Sequence, residues 1–133
     1  MTHDEQTSHL FREVTAPTAE ELEFQPAWAH LPGIAGFSPT AGATMQPFTG
    51  GKLMMIRVTI EPDIDYPHHQ HPHEQMGMIL EGALELTLGE ETRLLRPGDV
   101  YAIPPMLPHK ARTYADGCVC IDVFTPPRDD YRG

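Results

Sequence analysis

PHHQHPHEQMGMILEG, the stretch from Pro67 to Gly82, contains four histidines within six residues. Side chains two residues apart on an extended strand project from the same face of that strand. We therefore expect His69, His71, His73 and Gln75 to point in one direction. Imidazoles that converge on one face are typical ligands of a transition metal. The stretch predicts a metal centre inside a small β fold.

Short apolar segments surround this stretch, and each is bounded by glycine or proline. The clearest is LELTL at 84–88, in which leucines alternate with polar residues, and a fifth candidate histidine follows Pro108 at position 109. Short strands between tight turns predict an antiparallel sandwich or barrel. The chain has 133 residues, which suits a single domain. We assign 1–47 to an N-terminal arm that packs on the barrel, 48–127 to the barrel and 128–133 to a C-terminal tail.

The charge of the chain limits the partners that we expect. Nineteen acidic residues against nine basic ones give a formal net charge of −10, and the basic residues do not cluster. This pattern argues against binding to nucleic acid or to an anionic membrane. No apolar run reaches the roughly 18–20 residues of a membrane helix, and the N-terminus lacks the basic start of a signal peptide. We therefore expect a cytoplasmic protein that acts on a small molecule, and a homodimer is possible.

The two histidine segments together resemble the paired motifs of the cupin superfamily. The H-x-H pair with Gln75 and Gly82 looks like the first motif, and GDVYAIP at 98–104, ending in Pro108-His109, looks like the second. The resemblance implies an all-β fold, a single cupin barrel of the jelly-roll type. It also implies one divalent metal ion, for which we favour Zn²⁺ over Fe²⁺, Ni²⁺ or Mn²⁺. The ligands carried over from the family are His69, His71, Gln75 and His109.

The residue at position 75 departs from the family pattern, because Gln75 stands where most members have glutamate. An amide in place of a carboxylate leaves the full positive charge on the ion. That favours Lewis-acid chemistry on a carbonyl group over the iron–oxygen chemistry of histidine–carboxylate sites. His73 lies on the same predicted face, so it could join or replace Gln75, and we also treat it as a catalytic candidate.

A second informative stretch is IDVFTPPRDDY, at 121–131. It resembles the end of a subgroup of single-domain cupins that includes enzymes linearising unsaturated uronates from pectin and alginate. The resemblance implies that Asp122 shuttles a proton, Phe124 forms a cavity wall and Arg128 anchors a carboxylate. Structural roles stay open for all three, including an ion pair between Asp122 and Arg112.

The methionines bear on the substrate. Met54, Met78 and Met106 lie in or beside predicted strands, and with Phe124 they predict a pliable apolar pocket. Such a pocket suits aromatic or polyketide-like molecules. We therefore expect a metal-dependent, non-redox enzyme acting on a carbonyl compound. Aldol-type cyclisation of a polyketide, known among small zinc cupins, is narrowly favoured over uronate linearisation. Two functions of a different class also fit the sequence, an Fe(II) dioxygenase and a non-enzymatic binding module.

Overall fold

The computed structural model describes residues 15–131. Within this range no helix is long and apolar enough to cross a membrane. Short 3-10 turns occupy Leu31–Gly33 and Asp129–Tyr131, and the rest of the regular structure is strand. The strands are β1 (Ala43–Thr49), β2 (Met54–Ile60), β3 (Asp65–His69), β4 (Glu74–Gly82), β5 (Leu84–Leu88), β6 (Glu91–Leu95), β7 (Val100–Ile103), β8 (His109–Arg112) and β9 (Cys118–Thr125).

These strands form two antiparallel sheets, which confirms the predicted all-β fold. One sheet has the order β1-β2-β9-β4-β7 and the other has the order β3-β8-β5-β6. Because neighbours in a sheet are distant in sequence, the chain passes repeatedly from one sheet to the other, as in a jelly roll. The hydrophobic core lies between the sheets.

Strand β9 is the central strand of the five-stranded sheet, and the alternation of its side chains determines which of them reach the site. Its burial alternates residue by residue along the whole strand. Cys120, Asp122 and Phe124 are buried between the sheets, whereas Ile121 and Val123 lie on the outer face. The sequence CVCIDVFT therefore carries one carboxylate, Asp122, directly into the core.

The histidine-rich stretch does not form the single strand that we expected. Strand β3 ends at His69 and β4 begins at Glu74, with an irregular crossover between them. His69 therefore belongs to the four-stranded sheet and Gln75 to the five-stranded sheet. The side chains converge because the two sheets face each other, and the same-face argument from strand periodicity is wrong for this stretch.

The ends of the barrel differ from the assigned boundaries. Strand β1 starts at Ala43, inside the range assigned to the arm, and pairs with β2 along its whole length. The described part of the arm contacts β1, where the Gln46 amide donates to the Pro32 carbonyl at 2.8 Å. In the C-terminal tail, Arg128 and Tyr131 are buried. Residues 1–14 and 132–133 of the predicted arm and tail lie outside the described residues.

Candidate metal centre and cavity

Three histidines form a cluster between the sheets. His69 at the end of β3 pairs directly with His109 at the start of β8, and their ring centroids are 4.1 Å apart. His71, in the crossover, completes the group, and the candidate ligand atoms of the three all lie within 4.8 Å of one another. Three of the four predicted ligands are thus brought together by segments that are up to 40 residues apart (109 − 69).

Backbone carbonyl groups orient two of these rings. Nδ1 of His69 lies 2.8 Å from the Pro67 oxygen, and Nδ1 of His109 lies 2.8 Å from the Leu107 oxygen. A carbonyl oxygen only accepts, so each Nδ1 carries the proton and each Nε2 keeps its lone pair. Nε2 of His109 is buried and has no hydrogen-bond partner among the described residues. A buried Nε2 lone pair, on a ring that a backbone carbonyl orients through Nδ1, is suited to bind a metal ion.

Gln75 connects the cluster to Asp122. Its side-chain oxygen lies 3.1 Å from Nε2 of His71, and its amide group hydrogen-bonds the Asp122 carboxylate. The Nε2 atom of His71 must then donate, and its buried Nδ1 has no partner within residues 15–131. Gln75 thus lies beside the histidines, as expected, but its amide also serves a second polar group.

Burial keeps the clustered histidines neutral. Loss of hydration lowers the pKa of His69, His71 and His109, and the positive charge of Arg128 adds to this effect. The pKa of His71 falls to about 4. Only a neutral imidazole has the lone pair that binds a metal. The donor set therefore fits one divalent ion near neutral pH.

Asp122 is the buried carboxylate of the cavity. The Tyr101 hydroxyl donates to its Oδ1 atom, and the Cys120 thiol lies 3.9 Å from its Oδ2 atom. Burial raises the pKa of Asp122 to about 6, although its hydrogen bonds oppose that shift. The ion pair considered between Asp122 and Arg112 does not form, because Arg112 lies 3.7 Å from Asp65 on the surface.

Arg128 is turned inward and is only 9% exposed. Its Nε and Nη2 atoms donate to the two carboxylate oxygens of Asp130 at 3.2 and 2.7 Å. Its guanidinium carbon lies 3.7 Å from the centroid of the Tyr131 ring and 5.5 Å from that of Phe124. The solvated role considered for Arg128 is therefore wrong, and the guanidinium is rigidly held.

His69, Gln75, His109, Asp122 and Arg128 border one cavity of about 60 Å³, whereas His71 is not among its lining residues. Its walls are largely apolar, but they are not made by the predicted methionines. Met54 is fully buried in the core and does not line the cavity. Met78 is 41% exposed, because alternation along β4 directs it to the outer face, and Met106 is 51% exposed in a turn. The polar lining comprises His69, Gln75, His109, Asp122, Arg128, Tyr101, Tyr66, Tyr131, Lys110 and Cys120, and Phe124 forms part of the wall.

One residue, His73, differs from its expected place, and another, Tyr101, was not anticipated. His73 lies beside the cluster, with its ring centroid 5.3 Å from that of His71, but it is not among the three residues whose ligand atoms meet. Tyr101 reaches the centre of the site and was missed by sequence reasoning. Its signal was present in VYAI, where Tyr101 and Ile103 share the inward face of β7.

Comparison with known proteins gives the context of this site. The chain is 32% identical over 80 residues to the pectin degradation protein KdgF of Dickeya dadantii, covering 59% of this chain and 73% of the relative. The structure of KdgF from a Halomonas species superposes with a TM-score of 0.73 at 28% identity, covering 80% of this chain and 98% of the other. The polyketide cyclase RemF of Streptomyces resistomycificus gives a TM-score of 0.68 at 20% identity, covering 79% and 82%, which shows a shared fold alone.

A lyase is 39% identical to the chain, which spans 34% of the length of that lyase. An isomerase is 31% identical to the chain, which spans 38% of the length of that isomerase. The comparisons together support an enzyme of the isomerase or lyase type. The cupin domain family matches residues 56–124, about half of the sequence. Those residues run from β2 to β9 and carry the whole histidine cluster, and the chain belongs to the cupin domain family.

Proposed function

We propose that this protein linearises unsaturated uronates, the ring-closed sugar acids released when pectin or alginate is cleaved by elimination. The observation that carries the proposal is the inward position of Arg128, in the same cavity as His69, His109 and Asp122. A buried guanidinium can hold a carboxylate through two parallel hydrogen bonds. The similarity to a pectin degradation protein supports the same substrate class.

The proposed reaction rearranges one molecule without adding or removing atoms. In the substrate, C4 and C5 share a double bond that is conjugated with the carboxylate, and C1 is a hemiacetal carbon. The C1 hydroxyl loses its proton, the bond from C1 to the ring oxygen breaks and C1 becomes an aldehyde. The electron pair leaves with the ring oxygen, and the resulting enolate becomes a ketone at C5 when C4 takes up a proton.

The side chains of the cavity match these needs. Arg128 binds the carboxylate and so fixes the direction of the ring. Asp122 takes the proton from the C1 hydroxyl and delivers one to C4, a role that suits a carboxyl group with a pKa of about 6. Phe124 provides a flat wall beside the sugar. His69, His71 and His109 would hold a divalent ion, which when bound would supply positive charge to stabilise an oxyanion.

Polyketide cyclisation is less well supported by this cavity. The apolar pocket that favoured it was expected from Met54, Met78 and Met106, and these lie elsewhere, although the cavity walls are largely apolar and include Met45. Closing a poly-β-ketone ring has no use for a buried guanidinium, whereas a sugar acid offers it a carboxylate to bind.

The test is a turnover assay on unsaturated galacturonate and unsaturated mannuronate with protein loaded with Zn²⁺. We expect faster loss of the ultraviolet absorbance of the conjugated double bond than in buffer, and formation of a linear ketone by NMR. Arg128→Ala should raise KM at least tenfold. Arg112→Ala, which breaks a surface ion pair with Asp65, should leave KM unchanged.

Two results would contradict the proposal. One is a rate equal to that of buffer for both uronates when the metal content is stoichiometric. The other is substrate-dependent oxygen consumption by protein loaded with Fe²⁺, which would indicate a dioxygenase instead.

A further inference from the structure

We infer that Tyr101 is a positioning residue for Asp122 and that Gly77 is the residue that makes this contact possible. The inference rests on the proposed function, because it concerns the carboxylate that moves the proton. Neither Tyr101 nor Gly77 was among the candidate residues predicted from the sequence. Both lie in the five-stranded sheet, on the face that borders the cavity.

The sheet register places the three residues in one row. Gly77 on β4 pairs with Tyr101 on β7 at one side and with Asp122 on β9 at the other. Tyr101 and Asp122 are thus separated by a whole strand, a distance of roughly 9–10 Å between backbones. Only a long side chain that lies flat across β4 can span it. The Tyr101 hydroxyl does so and donates to Oδ1 of Asp122.

Gly77 provides the space for this crossing. A Cβ atom at position 77 would overlap Oδ1 of Asp122 and also the ring carbon and hydroxyl oxygen of Tyr101. Any other residue would therefore separate the two partners or displace one of them. The glycine is explained by the hydrogen bond above it, since β4 is regular here and needs no unusual backbone angle.

The contact fixes the direction of the carboxylate. Tyr101 holds Oδ1, and the other contacts of Asp122 are the amide of Gln75 and the Cys120 thiol, 3.9 Å from Oδ2. A thiol is a weak donor, so loss of the tyrosine hydroxyl would leave the Gln75 amide as the one strong donor to Asp122 among the described residues. A carboxylate held by a single strong hydrogen bond can rotate about it. Misplacement of a proton-transfer group slows the chemical step. Substrate binding should be spared, because Arg128 holds the substrate carboxylate.

Tyr101→Phe is the direct test, measured with unsaturated galacturonate on protein loaded with Zn²⁺. We expect kcat to fall at least tenfold while KM stays within twofold and the zinc content is unchanged. Tyr114→Phe is the matched control, since its hydroxyl also donates to a carboxylate, that of Glu85 at 2.8 Å, but on the surface. The control should keep its kcat. A kcat for Tyr101→Phe within twofold of the wild type would overturn the inference.

Gly77→Ala provides a second line of evidence. It should lower kcat as Tyr101→Phe does, and the double variant should lose no more than the worse single variant, because both changes break one hydrogen bond. A crystal structure of Gly77→Ala should show Tyr101 and Asp122 separated, and this holds even if the wild type does not act on uronates. An intact contact in that structure would contradict the role of Gly77. If Gly77→Ala fails to fold, a crystal structure of Tyr101→Phe tests whether the Asp122 carboxylate rotates.

Discussion

The buried position of Asp122 suits proton transfer, but it lowers the stability of the fold when the carboxyl group is ionised. Its side chain is 6% exposed, and burial raises its pKa from 3.8 to about 6. Because the folded state holds the proton more tightly than the unfolded state, the carboxyl stabilises the fold most below pH 3.8. This contribution is lost as the pH rises through about 6. A shift of roughly two pKa units corresponds to about 3 kcal/mol.

We therefore expect Asp122→Asn to stabilise the metal-free protein at high pH while abolishing turnover. Its free energy of unfolding relative to the wild type should increase by up to about 3 kcal/mol between pH 4 and pH 8. Urea denaturation at several pH values measures the free energy of unfolding of both proteins. Subtracting the wild-type value from that of the variant removes the contribution of the histidines, which titrate in both. Parallel pH profiles for the two proteins would show that the buried carboxylate carries no such cost.

At the scale of the element, the alternation of side chains along β4 correctly separates its inward-facing residues from its outward-facing ones. Within the strand, Gln75, Gly77 and Ile79 point inward, and Met76 and Met78 point outward. We assigned Met78 to the pocket because of its residue type and its place near the motif. Counting alternate positions from Gln75 would have placed it outside, so this error was avoidable.

The two faces of β4 can be separated by mutation. Ile79 is 1% exposed and Met78, its neighbour, is 41% exposed. Ile79→Ala should lower the free energy of unfolding by about 2–5 kcal/mol, because it leaves a cavity in the core. Met78→Ala, the matched control on the same strand, should cost less than about 1 kcal/mol. Equal losses in chemical denaturation would contradict the assignment of the faces.

The crossover between β3 and β4 was harder to predict. The resemblance to the cupin motifs implied His69, His71, Gln75 and His109 as a group, because a match to motif spacing does not depend on the path of the chain. Pro72 makes a strand irregularity in the segment 70–73 conceivable, but every residue there is polar or proline, so no apolar alternation shows where one strand ends and the next begins. The position of His73 outside the cluster follows from that break.

At the scale of the whole molecule, the histidine cluster joins segments that the fold must bring together. His69 and His109 belong to the four-stranded sheet, and His71 lies in the crossover to the other sheet. A metal that binds only the assembled site stabilises the folded state by mass action. The expected long-range partner of His69 followed from the family motif, whereas the pairing of Tyr101 with Asp122 needed the sheet register, which no local pattern specifies.

Removal of the metal should therefore lower Tm. We expect a chelator to reduce the Tm of the zinc-loaded protein by several degrees, about the effect of 1–3 kcal/mol in a domain of this size, and added Zn²⁺ to restore it. His109→Ala should retain little zinc, and its Tm should not respond to the chelator. His68→Ala is the matched control, because His68 is not part of the cluster. Full zinc occupancy in His109→Ala would contradict its assignment as a ligand.

The pairing of Arg128 with Asp130 has a consequence for how tightly a substrate can bind. A free arginine side chain has about 2 kcal/mol of rotamer entropy, which a ligand must remove when it binds. Here Asp130 and the Tyr131 ring have already fixed the guanidinium during folding. Asp130 accepts from two of the five guanidinium N–H groups, and the other three do not bond to Asp130. An anionic substrate thus meets a preorganised partner, and more of its interaction energy is expressed as affinity.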